Sequence, residues 1–253
     1  MIDPVCFRLG SRPIYWFGIM MALAFMAAMS HWTLLGRKTS RDTSIAGDLA
    51  LWLMVGGIVG ARIAYIVANI HFFMQAPMEM IRVDQGGLVY YGGFIGATIT
   101  LIILARCRHE SFLSLVDFTV TALPLGHALG RIGCFLNGCC HGRDVATPSF
   151  FTAGLSRYPV QLFESAFNVA VYLLLLRLYI RKTDQTPPGT LLAIYLIVYP
   201  AGRFLLEFLR GDDRLRAGHL DVAQIISLGF MMIGLIMWTI LRRCHERNLH
   251  RPS

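Results

Sequence analysis

Seven long apolar runs decide what this chain can fold into. They cover residues 14–35, 45–73, 88–105, 112–135, 159–180, 190–209 and 220–241. Each approaches or exceeds the ~17–25 residues that span a bilayer as a helix. Backbone polar groups in hydrocarbon must be satisfied within the segment or in a closed barrel, so runs of this length read as spanning helices. The expected fold is an all-α polytopic integral membrane protein of about seven transmembrane helices, with residues 1–253 forming a single transmembrane domain. Charged residues are 15% of the chain, against about 25% in an ordinary soluble domain. The net charge of +8 does not point to nucleic acid, because the basic residues sit at the ends of apolar runs, where they anchor spans. The first run is long and no A-x-A-like site follows it, so no cleaved leader is expected.

Orientation follows from the arginines and lysines. Twelve fall on one side: Arg37, Lys38, Arg41, Arg106, Arg108, Arg177, Arg181, Lys182, Arg242, Arg243, Arg247 and Arg251. Eight fall on the other: Arg8, Arg12, Arg82, Arg143, Arg157, Arg210, Arg214 and Arg216. The second group is also diluted by Asp3, Glu79, Asp84, Asp144, Asp212 and Asp213. The expectation is an amino terminus outside and a cytoplasmic carboxyl terminus.

Three arginines, Arg62, Arg131 and Arg203, are left within the membrane. A charge at that depth costs roughly 2.5–3.5 kcal/mol on insertion scales and is tolerated where it meets a partner or a polar cavity. Arg131 belongs to Gly130-Arg131-Ile132-Gly133-Cys134-Phe135-Leu136-Asn137-Gly138-Cys139-Cys140-His141-Gly142, a stretch dense in glycine, thiols and polar groups. Arg203, Glu207 and Arg210 recur at i, i+4 and i+7 and share a helix face. One reading is an Arg203–Glu207 pair that ties helices together. The other is a pair of guanidiniums, Arg131 and Arg203, converging at one depth on a phosphate, which a planar fork grips at two oxygens. His127, one turn before Arg131, is a hydrogen-bonded interior residue or a proton acceptor. Cys134, Cys139, Cys140 and His141 are metal-ligand types, but their spacing matches no common zinc pattern, and neighbouring cysteines do not readily reach one metal. No metal is therefore assigned. The thiols read chiefly as small packing residues, with a disulfide from Cys139 or Cys140 to Cys6 left open.

Six segments, in order, resemble the prolipoprotein diacylglyceryl transferases. They are Trp16-Phe17-Gly18, Gly60-Ala61-Arg62-Ile63-Ala64-Tyr65, Gly86-Gly87-Leu88-Val89-Tyr90-Tyr91-Gly92-Gly93, the Gly130 to Gly142 stretch, Tyr158-Pro159-Val160-Gln161-Leu162-Phe163-Glu164, and Gly202-Arg203-Phe204-Leu205-Leu206-Glu207-Phe208-Leu209-Arg210. The resemblance covers most of the chain. It implies a multi-pass enzyme of the bacterial inner membrane without a cofactor. Its partners would be phosphatidylglycerol, the signal peptide of a prolipoprotein with its lipobox cysteine, and membrane lipids, with no nucleic acid. The implied reaction moves the diacylglyceryl group to the cysteine thiol, forming a thioether and releasing glycerol phosphate, the first step of lipoprotein maturation.

Such a displacement at an sp3 carbon needs a thiolate, although a free thiol with pKa near 8.5 is mostly protonated at neutral pH. It needs cations where charge grows on the leaving phosphate, and reactants held in line. By resemblance, Arg131 and Arg203 are the clamps, Glu207 orients Arg203, and Asn137, Gly142, Gln161, Glu164, Arg210 and Arg62 match substrate-side motif positions. Four positions depart from the pattern. The family's Phe-His-Gly-Gly is Tyr90-Tyr91-Gly92-Gly93, its Gly-Asn-Phe is Gly133-Cys134-Phe135, its glutamate after Asn-Gly is Cys139, and the tyrosine of Trp-Tyr-Gly is Phe17. Tyr91 thus stands in the catalytic position of a histidine, with an ordinary pKa near 10 that suits a base poorly. The alternatives are a paralogue with another acceptor, a metal or redox membrane protein built on the cysteines, and a lipid binder or transporter without chemistry.

Overall fold

The apolar runs satisfy their backbones as helices, as hydrocarbon demands. The structure, a computed structural model, describes residues 3–82, 86–146, 152, 154–182, 186–211, 216–217 and 220–249. Asp84, Asp212, Asp213, Arg214 and Arg251, which entered the charge asymmetry, lie outside the described residues. In chain order the elements are β1 (Val5–Leu9), β2 (Arg12–Tyr15), α1 (Trp16–Lys38), α2 (Ser44–Ala68), α3 (Ile70–Gln75), a 3-10 turn (Pro77–Ile81), α4 (Tyr90–Cys107), α5 (Phe112–Val120), α6 (Leu123–Leu136), α7 (Val160–Ile180), α8 (Thr190–Glu207), β3 (Arg216–Ala217), β4 (Leu220–Asp221) and α9 (Val222–Leu249). Among the described residues, seven helical stretches, with α5 and α6 counted together, are long and apolar enough to cross a membrane. The best window of α9 has mean hydropathy 2.0 yet is only 17% buried within the protein. Apolar surface on that scale is solvated by lipid. The chain is a multi-pass membrane protein.

Among the differences from the runs, three reshape the chain. An antiparallel hairpin, β1 against β2 around Gly10 at φ +63°, takes Ile14 and Tyr15, so α1 begins at Trp16. The second run breaks at Asn69 (φ −122°, ψ 33°), whose side-chain amide donates back to the Tyr65 carbonyl at 2.9 Å. The fourth run stops at Val120 and restarts at Leu123, with Pro124 in the first turn, where its missing N–H is no loss. Apolar composition conceals the hairpin and the break at Asn69, because a short irregular stretch leaves a run's average hydropathy unchanged, while Pro124 is visible in the sequence as an interruption.

The chain forms two compact units, Trp32–Val116 and Met1–His31 with Asp117–Ser253. In the first, α2 and α4 pack backbone to backbone through Gly56, Gly60, Gly92 and Gly96. A Cβ on Gly60 would lie 2.4 Å from the Gly92 carbonyl oxygen, and one on Gly96 2.2 Å from that of Gly56. This is the small-residue approach by which membrane helices associate when no hydrophobic force acts between them. At one end of the pair, Arg108 donates to Asp42 at 2.9 Å and also binds Asp48. That acceptor role, with two hydrogen bonds from Ser44, holds the Asp42 carboxyl down at about 2, the Ser44 bonds being the larger cause.

In the second unit the fully buried Asp117 of α5 organises the start of α8. Its carboxylate accepts from the backbone N–H groups of Gly189 (2.9 Å), Leu191 (3.0 Å) and Leu192 (3.0 Å), and pairs with Lys182 Nζ at 2.9 Å. Negative charge on the open amides of a helix N-terminus is favourable. Ser165 Oγ of α7 donates to the Ala128 carbonyl of α6 at 3.0 Å. Gly202 of α8 admits Phe167, whose ring would lie 2.2 Å from any Cβ there.

Candidate functional site

Helices α6, α7 and α8 each carry one part of an ionic network in the unit that contains them. Glu164 projects from the first turns of α7 and is buried. Its Oε1 meets Arg131 Nε of α6 at 3.0 Å, and its Oε2 lies 3.9 Å from an Arg203 terminal nitrogen of α8. The other terminal nitrogen of Arg203 contacts Glu207 Oε2 at 2.7 Å. That pair spans one helical turn, as the i, i+4 spacing predicts, and Glu207 is itself buried. Glu164 therefore sits between the two arginines that sequence reading assigned to a phosphate. Arg131 and Arg203 keep 23% and 12% of their side chains exposed while both carboxylates are nearly enclosed, so the open side of the network is cationic.

Arg210, just past α8, is buried and close enough to Arg131 and Arg203 to interact with both. Three guanidiniums against two carboxylates leave the network one positive charge. In low dielectric, an excess cation of this kind is stabilised by an anionic ligand.

The loop after α6 lies against this network. Asn137 caps α6, its N–H donating to the Gly133 carbonyl at 2.9 Å. Gly138 follows at φ +70°, and Cys140 adopts φ +62°, a conformation uncommon outside glycine. Gln161 Nε2 of α7 donates to the Cys139 carbonyl at 2.6 Å, while Gln161 Oε1 is buried with no hydrogen-bond partner among the described residues. Gly142 forms an antiparallel bridge with Arg210. A Cβ on Gly142 would lie 2.7 Å from the Leu209 carbonyl oxygen and 2.6 Å from a Val160 methyl, so the motif glycine is required by packing. Hydrogen bonds from the Cys134 and Cys139 thiols, and then from Arg210, pull the Cys140 thiol down from its ordinary value, against the opposing effect of burial. All six cysteines are free thiols, so the Cys6 disulfide is not formed.

The remaining expected positions lie elsewhere. Arg62, in the unit of α2 and α4, spends its guanidinium on main-chain carbonyls: Met80 at 3.0 Å, Gly86 at 2.9 Å, Gly87 at 3.1 Å and Glu79 at 2.5 Å. It also covers the Tyr65 and Phe73 rings, each centroid 5.4 Å away. Tyr91 lies in the first turn of α4 in the same unit, 61% exposed, its ring edge-on to Tyr90. His127 is held by the Tyr195 hydroxyl at 3.3 Å and lies against the Tyr199 ring. Sequence reading did not find the central place of Glu164, because no local spacing links it to Arg131 or Arg203. It also missed the capping role of Asp117 and the convergence of the three thiols.

Residues 4–240 match the family described as prolipoprotein diacylglyceryl transferase. The chain is 34% identical over 253 residues to the phosphatidylglycerol–prolipoprotein diacylglyceryl transferase of Pseudoalteromonas translucida, covering 94% of this chain and 93% of that one. It is 32% identical over 249 residues to the like-named protein of Clostridium tetani (95% and 98%), and 34% identical over 260 residues to that of Bacillus cereus strain B4264 (98% and 95%).

Proposed function

The chain belongs to the prolipoprotein diacylglyceryl transferase family, and from that premise we propose that it transfers the diacylglyceryl group of phosphatidylglycerol to the lipobox cysteine of prolipoproteins. The observation that carries this reading is the sharing of Glu164 between Arg131 and Arg203 beside Arg210. It places an excess of guanidinium charge in a buried network on a membrane-spanning chain. That arrangement suits a lipid phosphate whose charge grows as its ester bond breaks.

In this mechanism Arg131 and Arg203 bind the phosphate oxygens and stabilise the departing glycerol phosphate. Glu164 and Glu207 hold both guanidiniums in place, so that little reorganisation accompanies the reaction. Gln161 and Asn137 fix the loop after α6, Gly142 lets it lie on the Arg210 segment, and Arg62 holds the loop before α4. Tyr91 acts as a hydrogen-bond donor at the motif histidine position. The acceptor sulfur attacks the lipid's glycerol carbon as the carbon–oxygen bond to phosphate breaks.

The protein resides in the bacterial inner membrane as one transferase domain, with its amino terminus outside and its carboxyl terminus in the cytoplasm. Basic asymmetry supports that orientation. A reporter active only outside should work when fused after residue 148, and one active only inside should work after residue 253. The activity test is complementation of a strain depleted of its own transferase, read as the diacylglyceryl mass increment on a lipobox protein. Full membrane expression with no mass increment would refute the proposed function.

A further inference from the structure

Three thiols meet where α6 ends. Cys134 occupies the last turn of the helix, and the loop doubles back through Gly138 and Cys140, both at positive φ. The Cys139 N–H donates to the Cys134 carbonyl at 3.1 Å, which draws the loop onto the helix. The Cys139 and Cys140 sulfurs are 3.5 Å apart, and all three sulfurs lie within 4.8 Å of one another. A tetrahedral site with metal–sulfur bonds of ~2.3 Å places its sulfurs roughly 3.8 Å apart. Only a small closure separates the thiols from that geometry. The sequence-level objection, that neighbouring cysteines do not share a metal, is answered by the left-handed turn at Cys140.

The surroundings fit a thiolate-bound cation as well. Three thiolates around a divalent ion carry one net negative charge. The Arg210 side chain hydrogen bonds Cys140, and Arg131 interacts with Cys134, so positive charge is already present on two sides. Gln161 anchors the middle of the loop through the Cys139 carbonyl. These are the outer contacts that orient metal ligands and balance their charge.

We propose that Cys134, Cys139 and Cys140 bind a thiophilic divalent cation of the zinc class, with its fourth position open to the acceptor cysteine of the substrate. The role of the ion rests on the transferase reading. A coordinated thiol loses its proton at neutral pH, and a three-ligand site with one open position is the catalytic form of zinc coordination. The acceptor thiol gives its proton to water on binding. Its sulfur then forms the new bond to the lipid's glycerol carbon, while the carbon–oxygen bond to phosphate breaks and its electron pair leaves on the phosphate oxygen held by the arginines. The product is a neutral thioether, a weaker ligand than a thiolate, and it departs. No electron acceptor or donor is required.

The test uses the full chain, purified reduced in lipid nanodiscs and titrated with Co(II). The expected result is one Co(II) per chain with a thiolate charge-transfer band, absent in Cys139→Ser and in Cys140→Ser. A lipobox peptide should shift that spectrum without any lipid, and the same peptide with its cysteine changed to serine should not. Chelation should lower transfer from phosphatidylglycerol by about a hundredfold or more, the usual worth of supplying the proton acceptor, and Zn(II) should restore it. The combined variant Cys134→Ala, Cys139→Ala, Cys140→Ala, which removes the thiols without supplying the family's asparagine or glutamate, keeps the proposal falsifiable should a serine variant misfold. If that variant, or the chelated protein, transfers lipid at the normal rate, the proposal is overturned and the transferase reading stands. Sulfurs that oxidise to a disulfide instead of taking Co(II) also overturn it. Bound metal whose spectrum ignores the peptide overturns the open position. Bound metal in a protein that transfers nothing overturns the transferase reading and, with it, the role of the ion.

Discussion

Arg62 and Arg203 are both guanidiniums enclosed in an apolar chain, and they are held by opposite kinds of partner. Arg62 donates to four neutral carbonyls, which consume Nε and both terminal nitrogens. Arg203 faces the carboxylates of Glu207 and Glu164 and keeps part of its side chain exposed. Carbonyls satisfy an arginine's donors without neutralising it, so Arg62 acts as a clasp across the segment joining the 3-10 turn to α4. Carboxylates fix an arginine's direction and leave its outward edge for another anion. The same residue type is thus a fastener in one unit and, on the proposed function, a phosphate clamp in the other.

The largest effect should come from the clamp. Arg131→Ala or Arg203→Ala should lower transfer by about 10²–10³-fold, the worth of one preorganised donor at a developing charge, with membrane expression retained. Lysine at either position should restore only part, because a point charge cannot bind two oxygens at once. Measurement of the diacylglyceryl mass increment on a lipobox peptide decides this. Near-normal turnover in Arg203→Ala would make Arg203 a helix tie like Arg62 and dissolve the contrast.

Next in size is the shared carboxylate. Glu164→Gln keeps the shape of the side chain and removes the charge that both arginines face. Transfer should fall by about 10–100-fold, as for other partners that orient a reacting group, with kcat falling more than KM rises. Equal losses for Glu164→Gln and Glu207→Ala would indicate that Arg203 alone is being oriented, because Glu164 meets Arg131 as well as Arg203.

Arg62→Ala should act on stability. It strands four carbonyls and uncovers two aromatic rings. The yield of folded protein and its melting temperature should drop, while kcat of the surviving fraction stays within about threefold, a change of well under 1.4 kcal/mol in barrier. A variant of normal thermal stability that had lost turnover would move Arg62 into the clamp class.

Much of this was legible in the chain before any geometry. The seven spans follow from run length, and the Arg203–Glu207 pair from its one-turn spacing. Hydropathy could not reveal the β1–β2 hairpin or the break at Asn69, because a window of about twenty residues averages across them, whereas Pro124 marks the interruption of the fourth run in the sequence itself. The pairing of α2 with α4 through Gly56, Gly60, Gly92 and Gly96 was not read from the sequence, because only the contact between Gly60 and Gly92 identifies which helices meet. Glu164 between two arginines, and three sulfurs in one turn, depend on how α6, α7 and α8 pack, and no local spacing encodes that. The four bonds of Asp117 to the start of α8 and to Lys182 are likewise long-range.

The smallest effect belongs to Tyr91, and it tests whether the α4 unit contributes chemistry or support. Tyr91 is exposed at the first turn of α4, and its ring partner is Tyr90. Among the described residues, no carboxylate or histidine contact prepares Tyr91 to take a proton. If it donates a hydrogen bond, Tyr91→Phe should cost about threefold to tenfold, one neutral hydrogen bond of ~0.5–1.5 kcal/mol. Tyr91→His should be tolerated, since the aligned family position carries that ring. If it is the proton acceptor, Tyr91→Phe should cost ~10²–10⁴-fold, and the rate should climb with pH as the phenolate forms. A loss in that upper range would put part of the chemistry in the unit where Arg62 only fastens, and would remove the need for a thiolate-bound ion at Cys134, Cys139 and Cys140.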